Sequence, residues 1–162
     1  MRSSIAIEVA APPEVVFALA RDVERWPDLL PHYVRVSVEA RHEDGSRTAR
    51  MVAIRPLMRA IGLGIPVAWR ARTWAEPATL RLRFRHLGGA TAGMDVTWRI
   101  EPSPGGCIVS IEHDFRPAVA AWATLVERLF VRPIAGRTLA TFKSIAEATA
   151  GSRERSPAGT RT

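Results

Sequence analysis

The stretch from residue 5 to residue 33, IAIEVAAPPEVVFALARDVERWPDLLPHY, decides the fold because it contains three local structure signals in succession. Apolar residues alternate with polar or small ones at its start, which predicts a half-buried strand over 3–10. Pro13 and Glu14 then begin a helix, since proline is tolerated in the first turn and an acid suits the positive helix end. A second proline-initiated segment predicts a short helix over 26–32.

Beyond this opening, period-two alternation over about eighty residues predicts a meander of six further strands. One of the turns between them is the sequence HEDGS at 42–46. After Pro117 the apolar spacing becomes helical and continues to about Ala150. We expect a kink or break at Pro133, because proline removes a helix hydrogen bond. Residues 151–162 lack periodicity and predict a disordered basic tail.

This order of elements defines a fold class. An antiparallel sheet with one apolar face needs a cover, and only the C-terminal helix is long enough to provide it. The sequence therefore predicts an α+β domain over 1–150, in which a curved seven-stranded antiparallel sheet wraps around a long C-terminal helix. Two short helices lie between strands 1 and 2. Such a wrap leaves a cavity between sheet and helix, the default ligand site.

Composition excludes several other classes of protein. The chain has 162 residues, 47% of them apolar, which fits one globular domain. No apolar run reaches the roughly 18–20 residues of a membrane span, and the N-terminus lacks the apolar core of a signal peptide. Cys107 is the only cysteine, which excludes an internal disulfide and favours a cytoplasmic location.

The charge balance raises the question of an anionic partner. Lys and Arg number 23 against 16 acids, a net charge of +7, and Lys143 is the only lysine. A basic surface attracts phosphate or anionic lipid. The arginines expected on the outer face are Arg70, Arg72, Arg81, Arg83, Arg85 and Arg99. Acids on neighbouring strands would neutralise part of this set, so nucleic acid ranks last among the partners considered.

Three stretches match a known family: residues 5–33, TAGMDVTWRIEP at 91–102, and TLATFKSIAEA at 138–148. They resemble the START-like (SRPBCC, helix-grip) superfamily, specifically its polyketide cyclase/dehydrase and coenzyme-Q-binding branch. The resemblance implies a seven-stranded sheet gripping the final helix, with a cavity that opens near the short helices. It also implies a ribosome-associated role, which would use the outward arginines and ranks after a carrier and an enzyme.

Strand parity selects the side chains that face this cavity. An aromatic lining suits a flat hydrophobic ligand such as a polyketide, quinone or lipid. The alternative, that these aromatic rings simply fill a core, stays open at this point. The expected ligand-binding residues are Trp26, Leu30, Tyr33, Val67, Trp69, Ala71, Thr73, Leu82, Phe84, Met94, Val96, Trp98 and Phe130.

Catalytic residues are harder to assign. Aromatic polyketide cyclases of this fold, by the resemblance, use an inward arginine with a hydroxyl group nearby. The corresponding inward positions here look like Ala71 and Thr73. The remaining candidates are His113, Tyr33 and Arg55. His113 lies on an apolar strand face, where a hydrogen-bonded core histidine is the alternative to a general base. The facing of Arg55, before a proline at a strand end, stays open.

Other site chemistries find no support in the sequence. The histidines at 32, 42, 86 and 113 have no ligand spacing, so no metal is expected. No nucleophile motif, P-loop or dinucleotide fingerprint is present, and no cofactor is expected. The leading prediction is a carrier or sequestering protein for a hydrophobic small molecule; the alternative is a cyclase, aromatase or dehydratase. The pattern carries no signal for an oligomeric state.

The apolar segment LMRAIGLG at 57–64 is unusual for a hairpin tip. It predicts a lid over the cavity, an extension of both strands, or a surface that contacts a membrane or partner.

Overall fold

The computed structural model describes residues 1–58, 63–118 and 120–154. The strands are β1 (Arg2–Val9), β2 (Tyr33–Arg41), β3 (Arg47–Met58), β4 (Leu63–Glu76), β5 (Arg81–Gly88), β6 (Asp95–Ser103) and β7 (Gly106–Asp114). The helices are α1 (Pro13–Ala20), α2 (Trp26–Leu29), α3 (Ala120–Val126) and α4 (Arg132–Glu154). A 3₁₀ turn over Val23–Arg25 precedes α2, a second spans Pro77–Thr79, and a wider π-helical turn over Glu127–Val131 joins α3 to α4.

The strands form one seven-stranded antiparallel sheet in the order β1-β7-β6-β5-β4-β3-β2. β2 to β7 therefore meander, and β1 pairs with the last strand. The amino group of Met1 reinforces that pairing by donating to the carbonyl oxygen of Phe115 at 2.6 Å. The predicted fold class is confirmed: two short helices separate β1 from β2, and a long helix follows the sheet.

A bulge at the start of β2 decides which side chains reach the interior. Tyr33 pairs with Ala53, but Arg35 pairs with Val52, so Val34 is an extra residue. Val34 is accordingly exposed, whereas Tyr33 is buried. Because one inserted residue reverses the alternation of a strand, both Tyr33 and the later Val36 can turn inward.

The final helix is interrupted where proline predicts an interruption. The π-helical turn ends directly before Arg132, and Pro133 has no N–H to continue the hydrogen-bond ladder. Polar contacts then fix α4 on the end of β1. Lys143 Nζ donates to the carbonyl of Glu8 at 2.7 Å, and the N–H of Ala10 donates to a Glu147 carboxylate oxygen at 2.8 Å.

Two predicted boundary segments are described only in part. β3 and β4 pair as far as Met58 and Leu63, so the strands extend into the apolar segment, while residues 59–62 lie outside the described residues. The last helix ends at Glu154, so its final turn falls within the segment predicted to be a disordered tail. Residues 155–162 lie outside the described residues. Among the described residues, no helix is long and apolar enough to cross a membrane.

Candidate functional site

A cavity lies between the inward face of the sheet and the final helix. Its volume is about 90 Å³, which is small beside the roughly 300–1,000 Å³ typical of small-molecule sites. Most of its lining is apolar, with a few polar groups. The lining residues are Trp26, Tyr33, Met51, Val67, Trp69, Phe84, His86, Thr91, Met94, Val96, Trp98, Ile111, His113, Val131, Ile134, Ala135 and Thr138.

Aromatic rings form a packed cluster on one side of this cavity. The Trp26 indole, placed by the short helix α2, is its centre and is 2% exposed. Four rings surround it at centroid distances of 5.1 to 5.9 Å, those of Tyr33, Phe84, Trp98 and Phe142. The indole N–H donates to the carbonyl of Ala20 at 3.0 Å. With that N–H already paired, the Trp26 indole offers a ligand a flat apolar surface rather than a hydrogen bond.

The Thr138 hydroxyl contacts two polar rings beside the cavity, those of His32 and Tyr33. Its hydroxyl donates to the Ile134 carbonyl at 2.8 Å. Because a hydroxyl has one hydrogen, the Thr138 oxygen must accept the 2.9 Å bond from Nε2–H of His32. The other His32 nitrogen, Nδ1, is then a buried lone pair with no hydrogen-bond partner.

Burial controls the protonation of both rings. It lowers the pKa of His32 to about 4, with a smaller contribution from the positive charge of Arg137. Burial also raises the pKa of Tyr33 well above its ordinary value, against a smaller opposite effect of the Thr138 hydroxyl. At neutral pH, His32 is therefore uncharged and Tyr33 keeps its phenolic proton.

Two further histidines line the cavity from β5 and β7. His86 Nδ1 lies 2.6 Å from the hydroxyl oxygen of Thr91, and its ring stacks on Trp69 at 5.9 Å with an interplanar angle of 15°. His113 is 7% exposed, and its Nδ1 is buried without a hydrogen-bond partner. Burial lowers the pKa of His86 to about 3 and that of His113 to about 4. Both imidazoles are neutral at pH 7.

Arg55 lies on the inward face of β3 but is not among the residues lining the cavity. It is in phase with Ala53 and Met51, because pairing with β4 continues without a shift through this stretch. Its side chain is half-buried, and its Nε is buried without a hydrogen-bond partner.

The structure brings many of the sequence-predicted residues to one cavity. Those lining it are Trp26, Tyr33, Val67, Trp69, Phe84, Met94, Val96, Trp98 and His113. Leu30, Ala71, Thr73 and Leu82 are buried but do not line it. The side chain of Phe130 lies outside the described part of the structure.

Several lining residues were missed by the sequence reasoning, although some carried a signal. His86 is in phase with Phe84 on β5, and parity extended by one step would have included it. Val131, Ile134, Ala135 and Thr138 follow the i, i+3, i+4, i+7 spacing of one helix face. Thr91 had no such signal, because it lies in the turn between β5 and β6 and only the folded chain brings it to His86.

The arginines of the outer face are largely paired with acids. Ion pairs with nitrogen–oxygen distances of 2.7 to 3.5 Å join Arg70 to Glu39, Arg72 to Asp44, Arg83 to Glu76, Arg85 to Asp95 and Arg99 to Glu112. This pairing weakens the local positive potential that binding to a phosphate backbone requires. In the described part of the chain, no three His, Cys, Asp or Glu side chains are grouped to hold a metal ion.

A curved sheet gripping a long helix over an aromatic cavity defines a START-like, helix-grip domain. The chain belongs to the polyketide cyclase/dehydrase and lipid transport family, whose model matches residues 2–147. A provisionally named polyketide cyclase of Streptomyces cyaneus is 30% identical over 110 residues, which cover 67% of this chain and 68% of that protein.

Solved structures share the fold. The Zhui aromatase/cyclase of a Streptomyces species superposes with a TM-score of 0.74 at 19% identity, and the match covers 99% of each chain. A START superfamily protein of Mycobacterium smegmatis gives a TM-score of 0.63 at 20% identity, covering 94% of this chain and 98% of that one.

Proposed function

We propose that this protein binds a flat, ketone-bearing polyketide in its aromatic cavity and catalyses proton transfers of the cyclase or aromatase type. The observation that carries the proposal is a pair of neutral histidines, His86 and His113, in an otherwise largely apolar cavity. The proposed functional unit is the domain over 1–150. The Streptomyces relative, which is named a polyketide cyclase, supports this reaction class, while the family covers both cyclases and lipid transport.

The proposed general base is His113. Cyclisation of a polyketide begins when a proton leaves a carbon next to a carbonyl, so the site needs a base that is uncharged before the step. Desolvation keeps His113 in that form. A positioned base contributes about 10²–10⁴-fold to such a step. In this proposal Tyr33, which keeps its proton, acts as a hydrogen-bond donor.

Arg55 is assigned a ligand-binding role at the entrance of the cavity. A buried guanidinium nitrogen without a partner is costly, on the order of 1–3 kcal/mol. An anionic end of a ligand extending from the cavity along β3 would offset that cost.

The test uses 2-tetralone, a flat bicyclic ketone whose α-protons exchange slowly without a catalyst. We expect cavity binding to quench the fluorescence of Trp26, Trp69 and Trp98, and the wild-type protein to accelerate deuterium uptake at the α-carbon, followed by NMR. His113→Gln should lower the exchange rate by about 10²-fold or more while binding remains.

The matched control is His42→Gln. His42 is hydrogen-bonded to Thr48 and is not among the cavity-lining residues, so its replacement should leave exchange unchanged. Equal exchange in wild type and His113→Gln would refute the role of His113.

The second candidate function is a carrier for the same class of ligand. It is favoured by one observation: among the described residues, no arginine or lysine lines the cavity to polarise a carbonyl. Tight binding of 2-tetralone with no exchange above buffer would support the carrier and contradict the enzyme.

A further inference from the structure

We propose that His86 is the carbonyl-binding group of this cavity: held by Thr91 and stacked on Trp69, its imidazole donates Nε2–H to a ketone oxygen of the ligand. This inference rests on the proposed function, because it names the group that would stabilise the enolate formed there. It assigns a role to a pair of residues, His86 and Thr91, that the sequence pattern did not single out.

The position of His86 follows from the sheet. β5 contains one extra residue beside β4, so that Arg70 pairs with Gly88 and Ala71 pairs with His86. The extra residue, Leu87, turns outward and is 50% exposed. His86 precedes the bulge and is in phase with the inward Phe84 by regular alternation. Its direct cross-strand neighbour is the small Ala71, which leaves room on that face for the imidazole.

Two contacts fix the orientation of the ring. The Trp69 indole stacks against one face of the His86 imidazole, which restricts rotation of the ring. The Thr91 hydroxyl lies 2.6 Å from Nδ1, which fixes one edge. The opposite edge of the ring carries Nε2, for which the described residues offer no hydrogen-bond partner.

The hydrogen bond to Thr91 also decides the tautomer. Thr91 is 8% exposed, and no acceptor for its hydroxyl hydrogen is present among the described residues except His86 Nδ1. A buried hydroxyl hydrogen is expected to be paired. In this proposal Thr91 donates to Nδ1, which places the single proton of the neutral ring on Nε2.

A neutral imidazole is a suitable donor for this chemistry. The base, His113, takes a proton from the α-carbon, and the electrons of the broken C–H bond form the enolate double bond. Negative charge then develops on the former ketone oxygen, where Nε2–H of His86 stabilises it without itself giving up the proton. The charge that His113 gains also disfavours protonation of His86, so the donor stays neutral throughout. In D₂O the proton on His113 exchanges with solvent, and His113 then returns a deuteron to the carbon, which completes the exchange.

The experiment measures the carbonyl directly. 2-Tetralone labelled with ¹³C at its carbonyl is bound to the wild-type protein and to His86→Phe, and its C=O stretching frequency is recorded by infrared difference spectroscopy. Phenylalanine keeps a flat ring on Trp69 but has no N–H. We expect a lower C=O frequency in the wild-type complex than in the His86→Phe complex. In His86→Phe the α-proton exchange rate should fall by about 10²–10³-fold, with a ligand affinity within about threefold of the wild-type value.

Thr91 provides a second test, because a merely structural role would not explain the result expected for its variants. Thr91→Val removes the hydroxyl that orients the ring, and should lower kcat for exchange about tenfold with KM unchanged. Thr91→Ser, which restores a hydroxyl, should recover the wild-type rate. His42→Phe, outside the cavity, is the matched control, and each variant is first checked for an unchanged fold by its thermal midpoint.

The outcomes separate this inference from the proposed function. An unshifted carbonyl in the wild type, or the same shift and rate in a folded His86→Phe, overturns the role of His86 even if exchange is catalysed. A lowered frequency lost in His86→Phe without any catalysed exchange supports His86 and overturns the enzyme. If the wild type does not bind 2-tetralone, both are overturned.

Discussion

At the scale of single residues, the Thr138 hydroxyl makes two hydrogen bonds beside the cavity. Its hydroxyl donates within the helix to Ile134 and accepts from His32 on the opposite side. Thr138 is 1% exposed and His32 2%, so water cannot replace either bond. A buried donor that loses its partner costs about 1–3 kcal/mol, which makes this residue a structural support of the site.

Thr138→Val is therefore expected to lower the free energy of unfolding by about 1–3 kcal/mol, since the shape is kept while His32 Nε2–H loses its acceptor. Thr141→Val is the matched control, because Thr141 makes the same bond back to a helix carbonyl but is only half-buried. Its replacement should change stability by less than about 0.5 kcal/mol. Urea unfolding of both variants measures the difference, and equal losses would contradict the role given to Thr138.

Single residues also mark the limit of what the sequence predicts. Parity identified the inward Phe84, Val96 and Trp98, because regular alternation is written in the sequence itself. It could not place Thr91, whose contact with His86 depends on how the β5–β6 turn closes. Arg55 was ambiguous for a related reason: only the register with β4 shows that it is in phase with Met51.

At the scale of elements, the hairpin between β6 and β7 contacts the corner where β1 leads into α1. Gly106 has a φ of +145°, and a Cβ at this position would clash with backbone atoms of Val9 and Ala11. The backbones therefore meet at a distance that only glycine permits. This contact joins the first strand, the first helix and the last hairpin.

Gly106→Ala should destabilise the protein by about 2–5 kcal/mol, because both the strained backbone angle and the clash oppose the methyl group. The neighbouring Gly105 is an internal control, since a Cβ there would meet nothing within 4 Å. Thermal unfolding of the two alanine variants gives the comparison. A Gly106→Ala protein as stable as Gly105→Ala would show that the hairpin does not depend on this close approach.

Elements were predicted better than their irregularities. Proline chemistry indicated the interruption near Pro133, and the π-helical turn ends just before it. The bulges at Val34 and Leu87 had no sequence signal, although the first lets both Tyr33 and Val36 face inward and the second sets which β4 residue Gly88 opposes. Bulges depend on pairing between strands, which one strand's sequence does not contain.

At the scale of the whole molecule, charge and burial separate the two faces of the sheet. The outer face carries arginines paired with acids, whereas the inner side carries uncharged histidines. Keeping those histidines neutral has a consequence for stability. The unfolded chain binds protons at each histidine below about pH 6.5, while the native protein resists them until about pH 4 at His32 and His113 and about pH 3 at His86.

Since the unfolded state binds more protons, acid must favour it. We expect a free energy of unfolding that is level above about pH 7 and falls between pH 6.5 and 4, by up to about 1.4 kcal/mol per pH unit for each buried histidine. Asp44 and Asp114, with lowered carboxyl pKa values, act only at lower pH, so the interval from 6.5 to 5 reports the histidines. Urea titrations at intervals of half a pH unit measure the slope of unfolding free energy against pH. His113→Gln should reduce this slope by the contribution of one histidine. A stability that does not change between pH 7 and 5 would mean that these imidazoles are protonated as easily in the folded protein as in the unfolded chain, which contradicts their lowered pKa values.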